Sequence, residues 1–430
     1  MKLLIGKSNN STIPKVTVYG SILGHGLEMY DFTLYGALIS LISEAYFTFS
    51  NSSFYLALLS LSTGYIARPF GALLIGYMAD KYGRKIGLIF TIFCASLATG
   101  AIGLCPTYEQ IGIIAPVVLV CARLLQGICA GAETSNSSVF LTEHCQKDST
   151  SFGTSMIFFS GGLGCILALL VSLIFLETEY LWGWRIPFII GMIIGIVILL
   201  IRLKINEGFI YEKSRYHSQQ IKFKDYCNIL AFYNKKIIIT IMCGALSGIT
   251  STTLIVFSNL FLQKEHGIKT AESLLFSIYG LIAFLFSCFF CSKINSKIIR
   301  KKVIRISLIG ITIWSLPYFL LLGKNIFIYL LSAQVILGIF AGAFISTTKS
   351  LVIEQFPVYI RCTLVSLGYN FGYAMTSGIY ILLSFWLINF TGYNFTPFIL
   401  LSIFALSMLL IVDKILNEAN NSDIETPHTI

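Results

Sequence analysis

Long apolar runs separated by short polar stretches repeat along the whole chain. An α-helix needs roughly 20 apolar residues to cross the ~30 Å hydrocarbon core of a bilayer, and most of these runs are that long. The pattern therefore predicts about twelve membrane helices in two sets of six. The predicted spans of the first set are 18–42, 54–78, 86–104, 112–141, 152–175 and 184–203, and those of the second are 237–262, 273–291, 303–322, 326–353, 363–390 and 395–415.

The polar, basic stretch between the two sets predicts a division of the chain. Residues 1–203 are expected to form an N-terminal six-helix bundle, and residues 204–236 a cytoplasmic central loop. Residues 237–430 are expected to form a C-terminal six-helix bundle with a short polar tail, in which we find no heptad pattern.

Composition assigns the class. Apolar residues make up 56% of the chain and charged residues 12%, with a mean hydropathy of +0.81, which indicates an all-α polytopic membrane protein. The net charge of +10 does not point to nucleic acid, because the basic residues collect in alternate connections. This positive-inside pattern predicts that both termini and the central loop are cytoplasmic. The N-terminal segment is too short and polar for a cleaved signal peptide.

The two sets share a trace of duplication. The segment from Arg123 to His144 aligns without a gap with the segment that begins at Gln334. The alignment matches Gly127 with Gly338 and, further on, Gly131 with Gly342. The fourth and tenth helices are therefore predicted to be equivalent, as in transporters that bind substrate between two like bundles. A chance match between two glycine-rich helices is the alternative.

A dense charge cluster occupies 76–85, between the second and third spans. An acid followed by bases at the edge of a bilayer is costly unless the charges find partners. We expect a tight hairpin in which Asp80 caps a neighbouring helix and pairs with Arg84, while Gly76 and Gly83 permit close approach and a turn. Lys85 completes the cluster. An ordinary positive-inside loop is the alternative.

Two carboxylates on the first helix are the strongest candidates for function. Glu28 and Asp31 are three residues apart and so lie on one face. Each ionised, unpaired charge would cost about 2.5–3.5 kcal/mol at the membrane centre, so the pair must be protonated, paired or hydrated. One member is a candidate proton acceptor; an inert ion pair with Arg68 or Arg123 is the alternative. His25 is either a proton relay or a packing residue.

Helix four adds a charged face. Arg123, Gly127 and Gly131 recur at helical spacing, so a partner helix can pack close beside a permanent positive charge. Such a charge suits modulation of a carboxylate or binding of an anionic substrate. Glu133 is a second candidate, with a salt bridge at a helix interface as its structural alternative.

Polar positions also occur on other helices. Pro69 is expected to kink the second helix, and Arg68 to anchor that kink or pair with an acid. In the second set, Lys349 borders the tenth helix, and Tyr369 and Asn370 give the next helix a polar face suited to a cavity.

Enzyme chemistry is not indicated. The chain has no GxxxxGK[ST] phosphate loop and no catalytic, metal-ligand or cofactor constellation. The eleven cysteines are scattered, and the CxxC of Cys288 and Cys291 has no second pair, so we interpret them as packing residues. We predict no enzymatic activity, no metal and no cofactor; any energy for transport would come from an ion gradient.

Several segments resemble one family. GYMADKYGRK is similar to the loop between helices two and three of the major facilitator superfamily, and RLLQG to a second motif of that superfamily. More narrowly, the chain resembles the metabolite:proton symporter group, which includes proline/betaine, α-ketoglutarate and citrate transporters. The segments that carry this resemblance run from helix one to helix eleven: LEMYDFTLYG, ARPFG, RLLQGICAGAE, WGWRIPF, RLKINEGF and FPVYIRCTLVSLGYN.

The resemblance implies roles for these positions. Gly76, Asp80, Gly83 and Arg84, with Lys85, would form a cytoplasmic gate. Proton coupling or substrate binding would fall to the candidates named above: Glu28, Asp31, Arg123, Glu133, His25, Tyr369, Asn370 and Lys349.

The chain departs from the family pattern at two places. His25 stands where relatives tend to carry Asn, which leaves the substrate type open. The equivalent loop in the second half has lost its glycines and has Asn295 where an acid might be expected, so one gate of this type is expected.

The combined expectation is a proton-coupled symporter in the cell inner membrane. It would carry a small metabolite by alternating access and work as a monomer in the lipid bilayer. A proline or glycine betaine-like zwitterion is favoured. A di- or tricarboxylate such as α-ketoglutarate or citrate, a passive facilitator, and a non-transporting receptor of the same fold are the alternatives.

Overall fold

A computed structural model describes residues 15–50, 52–144, 150–176, 182–208, 211–212, 225–294 and 297–421. The N-terminal segment, part of the central loop and the end of the tail lie outside these residues, as does Asn295. The predictions for the termini and for Asn295 therefore concern parts of the chain that are not described.

The described chain is almost entirely helical, with twelve long helices. They are α1 (Lys15–Ala37), α2 (Ser53–Tyr82), α3 (Arg84–Leu104), α4 (Ile114–His144), α5 (Thr150–Leu176), α6 (Gly183–Leu203), α7 (Asn234–His266), α8 (Thr270–Ser292), α9 (Lys297–Leu322), α10 (Phe327–Glu354), α11 (Val358–Thr391) and α12 (Phe398–Asn421). Shorter helices are Ile39–Tyr46, Tyr108–Ile111 and Tyr226–Phe232.

Ten of the twelve helices, α2 to α11, are long and apolar enough to cross a membrane. In α12 the apolar part that qualifies is Phe398–Ile411, which is shorter. The first helix carries the two carboxylates predicted to be functional, and it is not among these ten. The structure thus agrees with about twelve predicted spans.

Two boundaries differ from the sequence predictions. The first span is not one helix, because α1 ends at Ala37 and a short helix begins at Ile39. The predicted hairpin 76–85 is mostly helical, since α2 continues to Tyr82 and α3 begins at Arg84. The turn is the single residue Gly83, whose φ of 124° is a backbone conformation that favours glycine. Gly76 therefore lies within a helix and is not part of the turn.

The same glycine contacts occur in both sets of six helices. A Cβ on Gly127 of α4 would meet the carbonyl oxygen of Gly64 in α2, and one on Gly338 of α10 would meet that of Gly280 in α8. Gly131 and Gly342, one turn further on, approach the next turns of the same two partner helices. Small residues here allow the backbones to pack closely. The predicted equivalence of the fourth and tenth helices is thus observed.

Two helix pairs make the main contacts between the first six helices and the last six. These pairs are α5 with α8 and α2 with α11. Within the sets, α1 packs on α5, α7 on α11, and α8 on α10. The predicted site residues of α1, α4, α10 and α11 consequently lie near the contact region between the two sets.

Candidate functional site

A small cavity lies between the two sets of helices. It has a volume of about 50 Å³ and is lined by α1, α2, α4 and α5 on one side and by α7, α8, α10 and α11 on the other. Its charged or titratable lining residues are His25 and Arg68, with Tyr369 and Tyr373 opposite. A cavity needs roughly 10–15 Å³ of such volume to hold one water molecule, so this one has room for a few waters.

A larger groove lies elsewhere, between α8 and α10, with a volume of about 580 Å³. Its lining is mainly aliphatic and aromatic, from Tyr279 to Ile339, and includes no charged side chain. Apolar grooves between membrane helices are suited to lipid chains, so the smaller cavity with its charged wall is the better candidate site.

Glu28 of α1 is held by three neighbours. Its Oε2 accepts a hydrogen bond from Thr134 Oγ1 at 2.7 Å and lies 3.0 Å from His25 Nδ1. Its Oε1 lies 3.1 Å from Arg68 Nη2. Of the two arginines proposed from sequence as ion-pair partners, Arg68 is thus the one that contacts Glu28.

Arg68 stands in the cavity wall inside an aromatic enclosure. Its guanidinium carbon lies 4.4 Å from the ring centre of Phe32, 5.5 Å from that of Tyr65 and 4.7 Å from that of Tyr373. Cation–π contacts of this kind stabilise a buried cation. The sequence interpretation of Arg68 and Pro69 as a kink and packing pair missed this environment, which three helices assemble.

Asp31 occupies a separate hydrogen-bonded chain that leads to Arg123. Thr99 Oγ1 donates to Asp31 Oδ2 at 2.6 Å, and Gln126 Nε2 donates to Thr99 Oγ1 at 2.8 Å. Arg123 Nη1 donates to Gln126 Oε1 at 2.8 Å. Within the described residues, Asp31 Oδ1 and the Nε and Nη2 of Arg123 have no hydrogen-bond partner. Sequence analysis did not find Thr99 or Gln126.

Glu133 forms a saturated salt bridge with Arg202 of α6. Both its oxygens are paired with that guanidinium, one of them with Nη1 at 2.9 Å. Thr91 and Ser137 donate to the same carboxylate at 2.5 and 2.8 Å. Arg202 is fully buried and was not identified as a partner of Glu133 from sequence. The sequence did contain one signal for this buried pair, namely that Arg202 lies at the end of a long apolar run.

Lys349 and Asn370 join the two sets of helices. Lys349 Nζ lies 3.3 Å from Ser135 Oγ of α4 and 3.5 Å from the ring centre of Tyr369. Asn370 Nδ2 donates to the carbonyl of Gly131 in α4 at 2.5 Å. In the described residues Lys349 forms no ion pair with a carboxylate. Only Tyr369 of these three candidates lines the cavity.

Asp80 of α2 binds the first residues of α11. It accepts hydrogen bonds from the backbone nitrogens of Cys362 at 3.3 Å and Thr363 at 2.8 Å, and from Thr363 Oγ1 at 2.5 Å. Arg84 Nη1 lies 2.7 Å from the same carboxylate. Both predicted partners, the neighbouring helix end and Arg84, are thus present. A Cβ on Gly76 would lie 3.0 Å from Thr363 Cα, so this glycine permits the close approach of α2 and α11.

Arg84 extends this contact across the two sets. Its Nη2 donates to the carbonyl of Val358 at 2.7 Å and lies 3.3 Å from Glu143 Oε1 of α4. The backbone nitrogen of Lys85 donates to Glu207 at 3.1 Å, and its Nζ to the carbonyl of Leu203 at 3.2 Å. The charged segment therefore binds helix ends and contributes no residue to the cavity.

The second set keeps part of this arrangement. Arg300 of α9 lies 3.3 Å from Glu354 at the end of α10 and donates to Ser350 at 2.7 Å. The internal alignment pairs Glu354 with Glu143, so the arginine–glutamate contact is present in both sets. Sequence analysis missed Arg300 because no glycine marks the turn before it.

The site candidates therefore separate into groups. His25 and Arg68 line the cavity and both contact Glu28. Asp31 and Arg123 belong to a separate hydrogen-bonded chain, and Glu133 is paired with Arg202. Among the described residues, no cluster of three His, Cys, Asp or Glu side chains could hold a metal ion.

Comparison with known proteins gives a consistent result. The family model described as "Major Facilitator Superfamily" matches residues 22–322 and, in a second match, 240–426. A relative from Staphylococcus aureus (strain COL) is 28% identical over 418 residues, which are 95% of this chain and 90% of the relative. The protein named "Proline/betaine transporter" of Escherichia coli (strain K12) is 28% identical over 389 residues, which are 85% of this chain and 76% of that protein.

Solved structures share the fold. A proton:xylose symporter, XylE, bound to 6-bromo-6-deoxy-D-glucose has a TM-score of 0.75 at 15% identity, over 94% of this chain and 95% of that one. A partially occluded inward-open conformation of the xylose transporter from E. coli has a TM-score of 0.71 at 16% identity, over 93% of this chain and 97% of that one.

Proposed function

This chain belongs to the Major Facilitator Superfamily, and from that premise we propose that it is a proton-coupled symporter of a small zwitterion of the proline and glycine betaine type. The proposed substrate follows the name of the E. coli relative. The two six-helix sets, 1–203 and 237–430 with the loop 204–236 between them, act as bundles that expose the cavity to each side of the inner membrane in turn. The protein acts as a monomer, with both termini in the cytoplasm.

The observation that carries the proposal is the cavity wall. His25 and Arg68 line it, and Glu28 contacts both of them from outside the lining. A second buried acid, Asp31, lies one turn further along α1. A zwitterion has one group for each sign of charge, and the contact of Arg68 with Glu28 offers a partner for each. A buried carboxylate that gains and loses a counter-ion is suited to carry the coupled proton.

A di- or tricarboxylate is the second candidate. Lys349 is a buried cation without a carboxylate partner in the described part of the chain, and it lies behind Tyr369 at the edge of the cavity. A substrate with a second carboxylate would supply that partner.

Uptake into proteoliposomes tests the coupling. An inward gradient of one pH unit can drive accumulation of up to about tenfold when one proton accompanies each substrate, since a unit is worth 1.36 kcal/mol. We expect proline or glycine betaine to accumulate, and a protonophore to abolish this. Glu28→Gln and Asp31→Asn are expected to lower accumulation, and Glu272→Gln, an exposed acid at the start of α8, to leave it unchanged.

Two results would contradict the proposal. Equilibration without accumulation would indicate a passive facilitator. Accumulation driven by a sodium gradient but not by a proton gradient would assign a different coupling ion.

A further inference from the structure

The hydrogen-bond donors of Arg68 are largely unsatisfied. The side chain is 2% exposed, yet its Nε and Nη2 have no hydrogen-bond partner in the described residues. The contact of Nη2 with Glu28 Oε1 is close enough for an ion pair but lacks hydrogen-bond alignment. Unsatisfied buried donors are costly, and a guanidinium presents a fork that matches a carboxylate. Because Arg68 lines the cavity, a carboxylate bound there could satisfy it.

The two carboxylate oxygens of Glu28 also differ in whether they accept hydrogen bonds. Oε2 is fixed by Thr134 and His25, whereas Oε1 has no hydrogen bond and contacts only the guanidinium of Arg68. Glu28 can therefore release Arg68 while its other oxygen stays in place. Once released, Oε1 would be a buried negative charge without a counter-ion, which favours uptake of a proton.

We propose that Arg68 is the receptor for a carboxylate group of the substrate, and that this carboxylate replaces Glu28 at the guanidinium while Glu28 takes up the coupled proton. The inference rests on the proposed function and extends it, because it requires a substrate with at least one carboxylate. No bond of the substrate breaks: its carboxylate accepts hydrogen bonds from Arg68, and a proton leaves a hydronium ion in solution and forms an O–H bond with Glu28 Oε1. This couples the two events. Substrate binding at Arg68 leaves Glu28 without a counter-ion, and proton uptake by Glu28 neutralises that buried charge.

Other titratable groups face Glu28 besides His25 and Arg68. They are Asp31 on its own helix, Cys165 of α5, Lys349 of α10, and Tyr369 and Tyr373 of α11. Asp31 is the other carboxylate among them, and its contacts are to the Thr99 chain and not to Arg68. The pH dependence is therefore tested at Glu28, the carboxylate that contacts Arg68.

Binding to the purified full chain tests the inference without requiring transport. Affinities are measured for L-proline, glycine betaine and succinate, each beside a carboxyl-free analogue: pyrrolidine, choline and succinamide. We expect at least one carboxylate ligand to bind about 10- to 100-fold more tightly than its analogue, in line with charge-assisted hydrogen bonds of about 1.5–3 kcal/mol. Arg68→Gln should remove this difference, and Arg68→Lys should restore part of it.

The pH dependence tests the exchange with Glu28. Wild-type affinity for the carboxylate ligand should rise up to about tenfold per unit fall in pH over the range in which free Glu28 is ionised. Glu28→Gln should bind with little pH dependence yet still discriminate against the analogue. The exposed control Glu272→Gln should keep the wild-type pH dependence.

Several outcomes would overturn the inference. They are equal binding of a ligand and its carboxyl-free analogue, binding of none of the three carboxylates, and a pH dependence that persists in Glu28→Gln. If Arg68→Gln does not fold, the Arg68→Lys and Glu28→Gln measurements decide alone. If uptake does not respond to the proton gradient but binding behaves as described here, the proposed proton coupling is wrong and the carboxylate site is still supported.

Discussion

Buried charges of the same type serve different purposes in this molecule. Glu28 and Glu133 are both almost fully buried, yet Glu133 is saturated by Arg202 and two hydroxyls while Glu28 keeps one oxygen without a hydrogen bond. A buried carboxylate stays ionised when all its oxygens are paired. When its counter-ion can leave, loss of that counter-ion favours protonation. We therefore propose that hydrogen-bond completeness, and not burial, separates the structural carboxylate Glu133 from the functional carboxylate Glu28.

Glu133→Gln is therefore expected to lower stability more than activity. The substitution leaves the guanidinium of Arg202 buried without its counter-ion, and removing one partner of such a pair costs about 3–5 kcal/mol. Thermal unfolding in detergent checks this, with Glu265→Gln, an exposed acid near the end of α7, as the matched control. A Glu133→Gln protein as stable as the wild type but unable to couple transport to protons would show that Glu133 is a coupling residue.

At the scale of elements, the charged segment 76–85 acts on helix ends. Asp80 accepts two backbone N–H groups at the start of α11, where the helix dipole favours a negative charge. Arg84 holds that carboxylate and also reaches Val358, just before α11 becomes regular. This contact closes one end of the interface between the two sets of helices, and we propose that it is the cytoplasmic gate.

Asp80→Asn should impair transport and leave substrate binding largely intact. Asn can still accept a hydrogen bond but loses the charge that pairs with Arg84, a change of roughly 1–3 kcal/mol in the closed state. Equilibrium binding and uptake rates are measured in parallel, with Glu265→Gln as the control. Loss of binding in a folded Asp80→Asn protein would place Asp80 in the substrate site.

For the whole molecule, α2 and α11 are in contact at both ends of the interface. At one end lies the Asp80 contact with Thr363, and at the other Ser62 Oγ lies 3.4 Å from the carbonyl oxygen of Gly378. The cavity of about 50 Å³ lies between these two contacts, and we propose that this arrangement is an occluded state. Alternating access then requires α2 and α11 to separate at one end at a time.

A disulfide between Ser62→Cys and Gly378→Cys should stop transport reversibly. A Cβ on Gly378 would lie 3.5 Å from Ser62 Cβ, within the range of disulfides. Oxidation should abolish uptake in the double variant, and a reductant should restore it. Each single variant serves as a control, since the native chain contains cysteines of its own. Full uptake with the disulfide formed would show that the helices do not separate at this point.

The helices, the class and the hairpin contacts of Asp80 were all predicted from sequence. Arg68 was named as a possible ion-pair partner but its aromatic enclosure was not predicted, and Arg202, Thr99, Gln126 and Tyr373 were not identified. Each of these side chains acts through a partner on another helix. Arg68, for example, depends on rings from α1 and α11 and on an acid from α1.

The sequence by itself determined the number of spans, the family resemblance and the duplication, because the free energy of placing a helix in lipid is close to a sum over its own residues. Only the tertiary structure decided which acid meets which base. Two carboxylates on one face of α1 are alike in the sequence, but the neighbouring helices give Glu28 an exchangeable cation and Asp31 a hydrogen-bonded chain. Pair energies depend on distances of a few ångströms between helices, and the packing of the helices determines those distances.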